Sequence, residues 1–217
     1  MIPSAARLTG LLLLAVASAH ASDTAVPADD PVPAQPVACA SSFASASYRR
    51  SLQDYPLPAL TLRGMDDRPH TLEAVLAGDG PVVVNFIFTT CPTICPVLSA
   101  TFASFQRGLI AEELSEIRMV SISIDPEHDT PARLREYATT FDAGPGWRFY
   151  TGDLETIVAV QKTFDAYRGS KMNHAPLTFM RAGPGERWLR LEGFLKSAEL
   201  LAEYRALTGT DPSVAAR

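Results

Sequence analysis

The sequence contains few cysteines and no run of basic residues. Its 217 residues include three cysteines, too few for a fold held together by disulfides, so a hydrophobic core has to stabilise the domain. The chain has 19 Lys and Arg residues against 24 Asp and Glu, which gives a formal net charge of −5. A mildly acidic chain without clustered basic residues is poorly suited to the phosphates of nucleic acid or to anionic lipid. The composition therefore predicts no nucleic-acid partner.

Long apolar runs are also absent, with one short exception near the N-terminus. The stretch from Leu8 to Ser22 has no charged residue and spans about 15 residues, short of the roughly 20 that a membrane-spanning helix needs. It follows the single charge of Arg7 and ends in Ala19-His20-Ala21, the small-x-small pattern of a secretory cleavage site. We predict a signal peptide over residues 1–21 and a periplasmic mature chain. The alternative is an uncleaved segment that anchors the protein to the membrane.

Ala, Pro and Ser dominate residues 22–47, which contain almost no large apolar side chains. Such a segment cannot bury enough surface to offset its chain entropy, so we predict a flexible linker. Cys39 lies inside this linker, and the sequence assigns it no role beyond a mobile thiol that could pair with another chain. The predicted folded domain spans residues 48–208, and residues 209–217 form a C-terminal tail.

Strand and helix patterns alternate along the predicted domain. The strand-like segments are two arms of a hairpin over residues 60–72, then Val82–Phe88, Ile117–Ile124, Arg148–Thr151, and a second hairpin formed by Pro176–Arg181 and Arg187–Leu191. The predicted helices are Val97–Leu109, one from Pro131 to Phe141 capped by Thr130, one from Asp153 to about Ala166, and one through Leu207 capped by Ser197. This order predicts an α/β fold with a central mixed sheet flanked by helices and an N-terminal β-hairpin.

Two cysteines stand where the first long strand meets a helix. In Thr89-Thr90-Cys91-Pro92-Thr93-Ile94-Cys95-Pro96 the two thiols are four positions apart, so a helical turn places them on one face. Backbone N–H groups at a helix N-terminus stabilise a thiolate, which raises both its nucleophilicity and its affinity for metals. The pair can therefore bind one soft metal ion or close a disulfide. A cysteine pair at the end of this strand is typical of a thioredoxin-like fold.

The chain resembles the Sco/SenC family over roughly Leu57 to Leu207. The resemblance depends on the cysteine motif, on Ser123-Ile124-Asp125-Pro126 followed by Asp129-Thr130-Pro131, and on a histidine before a late strand. Members of that family are exported thioredoxin-fold proteins that bind copper and assist assembly of the CuA centre of cytochrome c oxidase. The resemblance implies a metallochaperone rather than a classical enzyme, with a CuA-bearing oxidase subunit or another periplasmic copper or thiol protein as its partner.

The same resemblance implies the ligands. Cys91 and Cys95 would supply thiolates and His174 an imidazole, to one copper ion per chain. Two thiolates suit Cu(I) and an added imidazole suits Cu(II), so one site could hold either state. Because His174 lies far beyond Cys95 in the sequence, only the fold can bring it near.

Three features near His174 depart from the pattern or add to it. Asn173 stands where these proteins usually have Asp, and a neutral Asn supports an imidazole ligand more weakly. The loop before the histidine, Tyr167 to Asn173, is shorter than in that family, where this loop shapes access to the site. Ala175-Pro176 is similar to the cis-proline that faces the cysteine pair in thioredoxin-fold oxidoreductases, and a cis bond is compatible with an X-Pro sequence.

Asp125, His128 and Asp129 have the spacing of a polar group at a strand end. They could form a polar frame near the metal loop, but turn and helix-capping preferences explain these residue types more simply. We therefore interpret Asp125 as a turn residue and Asp129-Thr130-Pro131 as the start of a helix.

The cysteine pair is compatible with other functions, which differ in the residues they need. The main alternative function is a thiol–disulfide oxidoreductase that uses Cys91 and Cys95 without copper and does not need His174. A peroxiredoxin-type peroxidase needs Thr three residues before its nucleophilic Cys, where this chain has Phe88 and Pro92. A zinc site with two Cys and one His would leave an open position, but no catalytic carboxylate motif accompanies it.

Overall fold

The computed structural model describes residues 48–114 and 116–210, all within one compact unit. The described strands are β1 (Tyr48–Gln53), β2 (Thr61–Gly64), β3 (Pro69–Thr71), β4 (Val82–Ile87), β5 (Arg118–Ser123), β6 (Trp147–Thr151), β7 (Leu177–Arg181) and β8 (Trp188–Gly193). The described helices are α1 (Leu72–Leu76), α2 (Ile94–Ala111), α3 (Pro131–Thr140), α4 (Leu154–Thr163) and α5 (Ser197–Thr208), with a single 3₁₀ turn at Lys171–Asn173. The predicted signal peptide, the linker with Cys39 and residues 211–217 lie outside the described residues, so the domain boundaries stay predictions.

The strands form one mixed sheet in the order β1-β8-β7-β4-β5-β6-β2-β3. β4, β5 and β6 are parallel neighbours, whereas β7 pairs antiparallel with β4 and continues into the β7–β8 hairpin. The predicted fold class, a thioredoxin-like mixed sheet flanked by helices with an N-terminal β-hairpin, is confirmed. Sequence patterns did not indicate β1, most of whose residues are exposed, or the five-residue helix α1.

Helices cover both faces of the sheet. Successive side chains of the buried strand β4 point to opposite faces, so both faces have to be covered. On one face, Asn85 accepts a hydrogen bond from Ser121, which in turn accepts one from the Trp147 indole against Phe102 of α2. On the other face, Phe86 contacts Phe164 at the end of α4. α2 also packs against α5. The hydrophobic core therefore lies on both sides of the central strands.

Helix α2 is long and apolar enough to cross a membrane by length and composition, but it is a packed helix of this domain. Seven of its residues are buried, among them Cys95, Phe102 and Phe105. Phe105 contacts the ring of Tyr204 in α5. The apolar character of α2 is thus explained by its place in the core.

Local capping explains where most helices begin. The Thr130 hydroxyl accepts from the Arg133 N–H at 3.3 Å ahead of Pro131, and Asp153 accepts from the Thr156 N–H at 2.7 Å. Both caps match the sequence prediction. The predicted cap at Ser197 is wrong: Ser197 is the first residue of α5, and the Glu199 carboxylate accepts from the Lys196 N–H at 2.7 Å.

Candidate metal centre

The register of the sheet brings three segments to one edge. β4 and β7 are antiparallel and aligned at Asn85 and Thr178, and beyond this pair the Phe88 and His174 rings lie 6.5 Å apart between centroids. β4 and β5 are parallel and aligned at Ile87 and Ser123, and beyond this pair the Thr89 N–H donates to the Asp129 carboxylate at 3.0 Å. The cysteine loop, the turn after β5 and the segment before β7 therefore meet at the carboxyl end of β4.

The two cysteines lie at the N-terminus of α2, as predicted. The N–H of Cys95 donates to the Sγ of Cys91 at 3.4 Å, and the N–H of Phe88 donates to the Sγ of Cys95 at 3.4 Å. Cys91 is 8% exposed and Cys95 is fully buried, and both are free thiols in this structure. The disulfide that their spacing allows is thus not formed in this structure.

The surroundings of the two thiols shift their pKa values in opposite directions. Burial acts to raise the pKa of Cys91, but hydrogen bonds from the backbone N–H groups of Cys95, Thr93 and Ile94 help to bring it below its ordinary value. Burial raises the pKa of Cys95 well above its ordinary value, and the neighbouring Cys91 adds to the effect. Cys91 is therefore the residue that forms a thiolate first.

His174 is buried and has no hydrogen-bond partner. Its side chain is 6% exposed, and neither ring nitrogen has a partner among the described residues. Burial lowers the pKa of His174 to about 4, so the imidazole is neutral at physiological pH. Its ring lies 6.5 Å from the ring of Phe88, between centroids, close to the start of the cysteine loop. The fold thus delivers His174 to the cysteine edge of the sheet with free lone-pair capacity.

The three predicted ligands do not yet surround one point. Among the described residues, the one group of three potential ligand atoms lying within 4.8 Å of one another is Asp125, Glu127 and His128. Cys91, Cys95 and His174 are at the same edge but more widely spaced than that. In the group that contains Asp125, one oxygen of this carboxylate contacts His128 Nδ1 at 3.1 Å and the other accepts from Lys171 Nζ at 2.5 Å. These oxygens are already engaged by protein donors.

The turn after β5 corrects one sequence interpretation. Thr130 caps α3, and the Asp125 carbonyl accepts from the N–H groups of His128 and Asp129, so the turn and the cap are both present. The Asp129 carboxylate does something else. It accepts from the Thr89 N–H at 3.0 Å, from the Thr89 hydroxyl at 2.5 Å and from the Ser123 hydroxyl at 2.5 Å. Asp129 is therefore part of a polar frame that holds the cysteine loop. This is the alternative role that turn and capping preferences had made the less favoured one.

Asn173 does not support His174. Its side-chain amide is exposed and donates to the carbonyl of Arg168 at 3.4 Å, within its own loop. The departure noted in the sequence thus leaves the imidazole without a neighbouring acceptor. The Ala175-Pro176 bond is trans, since no peptide bond between described residues is cis, and the expected likeness to a cis-proline does not hold in this structure.

Sequence reasoning missed Lys171, which reaches across the site. Its ammonium contacts Asp125 at 2.5 Å and lies 5.7 Å from the centroid of the Phe88 ring. The two partners are separated by 46 residues, so no local spacing could have paired them. A lysine in an exposed loop carries no such signal in one sequence.

Comparison with known proteins agrees with this geometry. The family model described as SCO1/SenC matches residues 65–208. The SCO1 protein homolog of Bacillus subtilis is 35% identical over 101 residues, which are 46% of this chain and 50% of that protein. The chain thus spans about half the length of that curated relative.

Two solved structures share the fold. Arabidopsis thaliana ScoI with copper bound has a TM-score of 0.58 and 23% identity, covering 67% of this chain and 92% of that one. BsSco, described as a member of the Sco family of cytochrome c oxidase assembly proteins with a disulfide switch, has a TM-score of 0.61 and 24% identity. That likeness covers 73% of this chain and 96% of BsSco. At these identities the structures establish the fold, and the match of the family model over well more than half of the sequence shows that the chain belongs to the SCO1/SenC family.

Proposed function

We propose that the protein is an exported copper-binding metallochaperone that holds one copper ion with Cys91, Cys95 and His174 and assists assembly of the CuA centre of cytochrome c oxidase. The observation that carries this proposal is the buried imidazole of His174, with two unpartnered ring nitrogens, at the same sheet edge as the Cys91 and Cys95 thiols. A buried polar group without a partner costs about 1–3 kcal/mol, which a ligand role for the group explains.

The donor set fits copper. Thiolates favour Cu(I) and imidazole suits Cu(II), so the three side chains together can serve both oxidation states. The backbone N–H groups at the start of α2 lower the pKa of Cys91 and so favour the thiolate that binds a metal, and burial keeps His174 neutral with its lone pair available. Cys95 carries a proton at physiological pH and has to release it when it binds.

Copper binding requires a local closure. Bonds from a metal ion to nitrogen and sulfur are about 2.0–2.3 Å long, as for zinc, so ligand atoms on one ion lie about 4 Å apart. Cys91, Cys95 and His174 are not all within 4.8 Å of one another in the described chain. The cysteine loop or the turn before His174 therefore moves inward when copper is bound.

The relatives support this function. Arabidopsis thaliana ScoI was solved with copper bound, and BsSco belongs to a family of cytochrome c oxidase assembly proteins. The partner we propose is a CuA-bearing oxidase subunit, and the compartment is the periplasm, reached through the predicted signal peptide. An uncleaved N-terminal segment would place the same domain at the membrane surface.

A second candidate function is thiol–disulfide exchange, favoured by the opposite pKa shifts of the two cysteines. The Cys91 thiolate would attack a partner disulfide and release one partner thiolate. Cys95 would then attack the Cys91 sulfur, so that the chain ends with a Cys91–Cys95 disulfide and the partner with two thiols. This chemistry does not use an imidazole and leaves the unpartnered His174 unexplained, so copper binding is the better supported function.

The deciding experiment is a copper titration of the reduced chain in a Cys39→Ala background, which removes the third thiol. We expect one Cu(I) per chain against a competing chelator, and a sulfur-to-Cu(II) charge-transfer band after oxidation that Cys91→Ser abolishes. His174→Ala should weaken Cu(II) far more than Cu(I) and remove the imidazole nitrogen signal from the EPR spectrum, because thiolates alone suffice for Cu(I). His70→Ala, at a histidine of β3 that contacts Asp66, is the matched control.

Two results would overturn the assignment. Weak, non-stoichiometric copper binding by the parent chain, together with fast disulfide exchange, would favour the oxidoreductase function. Equal Cu(II) affinity of His174→Ala and the parent chain would remove His174 from the ligand set.

A further inference from the structure

The segment that carries His174 is tied to the rest of the domain by one side-chain pair. Within residues 170–174, the Ser170 hydroxyl accepts from the Met172 N–H and the backbone N–H groups of Asn173 and His174 donate to carbonyls of the same turn. Among the side-chain hydrogen bonds and ion pairs of these residues in the described chain, the contact of Lys171 with Asp125 is the one that reaches beyond residues 168–174.

A cavity behind the turn explains why this pair matters. It has a volume of about 310 Å³ and is lined by Leu154, Val158 and Gln161 of α4, by residues 124–127 after β5 and by residues 167–171 before the turn. Across this space the turn is not packed against α4. On this side of the turn, the Lys171–Asp125 pair is therefore the contact that links the turn to the segment after β5.

The pair is well placed to hold an imidazole. Lys171 is the first residue of the 3₁₀ turn, and its carbonyl accepts from the His174 N–H at 3.2 Å. The Lys171 ammonium and the His174 ring both lie against the ring of Phe88, at 5.7 and 6.5 Å between centres. A shift of Lys171 would therefore be passed directly to the backbone and the ring contact of His174.

The acceptor of this pair is itself rigid. Asp125 is 3% exposed, its N–H donates to the Ser123 hydroxyl at 3.0 Å, and its second oxygen contacts His128. Four residues later in the same turn, Asp129 holds Thr89 at the start of the cysteine loop. One short turn thus contacts the segment before His174, at Lys171, and the start of the cysteine loop, at Thr89.

We propose that Asp125 and Lys171 are positioning residues for the imidazole, so that residues 125–129 set the distance between His174 and the cysteine pair. This inference rests on the proposed copper function and adds to it the device that locates the third ligand. Asp129 would act on the thiolate side and Asp125, through Lys171, on the imidazole side.

Lys171→Met is the decisive variant, because electrostatics and positioning predict opposite results. If Lys171 were only a positive charge near the metal, its removal would strengthen Cu²⁺ binding. If it positions His174, removal should lower Cu(II) affinity by about 10- to 100-fold, the usual effect of losing a group that orients a ligand, and leave Cu(I) affinity nearly unchanged. Lys171→Arg retains the ion pair and should recover most of the affinity. Lys196→Met is the matched control, since Lys196 stands before α5 and its side chain forms no ion pair within the described chain.

A second measurement needs no copper. In the metal-free chain, buried His174 should be modified slowly by diethyl pyrocarbonate, and Lys171→Met should accelerate this modification severalfold, while the rate at His70, which contacts Asp66 in β3, should stay unchanged. Peptide mass mapping separates the two sites.

Unchanged or stronger Cu(II) binding in Lys171→Met, or an equal loss of Cu(I), would overturn the positioning role even where the parent chain binds copper as proposed. Failure of the parent chain to bind copper would instead overturn the proposed function, and the modification rates would still report whether the pair holds the turn.

Discussion

At the scale of single residues, the site is defined by groups whose ordinary partners are missing. His174 is buried without a hydrogen bond, although buried polar groups in folded proteins are almost always paired. A histidine retained for stability alone would be expected to gain such a partner. The cysteines show the complementary feature, since Cys91 receives backbone N–H donors that a thiol does not need but a thiolate uses. Both features are those of ligands held ready for a cation.

The depressed pKa of His174 predicts a pH-dependent stability for the copper-free domain. The pKa is about 4 in the folded chain and about 6.5 when unfolded, so between these values the unfolded state binds more protons. This residue should therefore make the free energy of unfolding rise with pH from about 4 to 6.5, by about 3 kcal/mol across that window. Above pH 6.5 its contribution should be constant.

Denaturant unfolding of the parent chain and of His174→Gln at pH 7 and pH 4.5 measures this contribution. Carboxylates add their own pH dependence to both proteins, so the quantity of interest is the difference between the two slopes. The variant should lose less stability on acidification than the parent chain. Parallel pH profiles would show that His174 is accessible to protons in the native state, contrary to its burial here.

At the scale of elements, local patterns located most of the secondary structure. Strands β4 and β5 were evident as short buried runs rich in β-branched residues, and the caps at Thr130 and Asp153 were evident from residue type. The mostly exposed strand β1 gave no such pattern, because its place in the sheet depends on pairing with β8. Local chemistry thus predicts an element well where that chemistry also stabilises it.

The start of α5 shows where residue type misleads, and it provides a test. The Lys196 N–H is satisfied by the Glu199 carboxylate, whereas Ser197 lies inside the helix. Glu199→Ala should therefore lower the free energy of unfolding by about 0.5–1 kcal/mol, and Ser197→Ala should change it by no more than a few tenths. Thermal or denaturant unfolding of the two variants decides between them. The reverse order would restore Ser197 as the cap.

Part of the candidate site could likewise be predicted from local patterns, and part could not. The cysteine pair could be predicted because four positions and a helix N-terminus are local properties of the chain. His174 was found only through resemblance to a family, since its approach depends on the antiparallel insertion of β7 beside β4. The contact between Lys171 and Asp125 could not be predicted at all, because it joins two loops that only the folded sheet brings together.

At the scale of the whole molecule, the order of the strands determines the site. In β4, β5 and β6 the parallel direction collects loop ends at one edge, as open α/β sheets generally do. The antiparallel β7 then begins at the edge where β4 ends, so the residues before it face the cysteine loop. A site built from three distant segments is therefore sensitive to anything that alters pairing on either side of β4.

The outermost strand on the β7 side, β1, allows a test of how far from β4 the strand pairing matters. β1 pairs with β8 along six residues, and the Tyr48 hydroxyl and the Arg50 guanidinium both contact Glu203 of α5, at 2.7 and 3.2 Å. A chain that begins at Asp54 should therefore be less stable than one that begins at Tyr48, by about 1–3 kcal/mol, because these contacts are lost. Denaturant unfolding of the two shortened chains, with Glu203→Gln in the longer one, separates the strand pairing from the side-chain contacts. The truncation does not remove the pairing between β7 and β4. The imidazole nitrogen signal of His174 in the Cu(II) EPR spectrum should therefore persist in the shorter chain at low denaturant. Equal stability of the two chains would show that β8 does not need an edge partner.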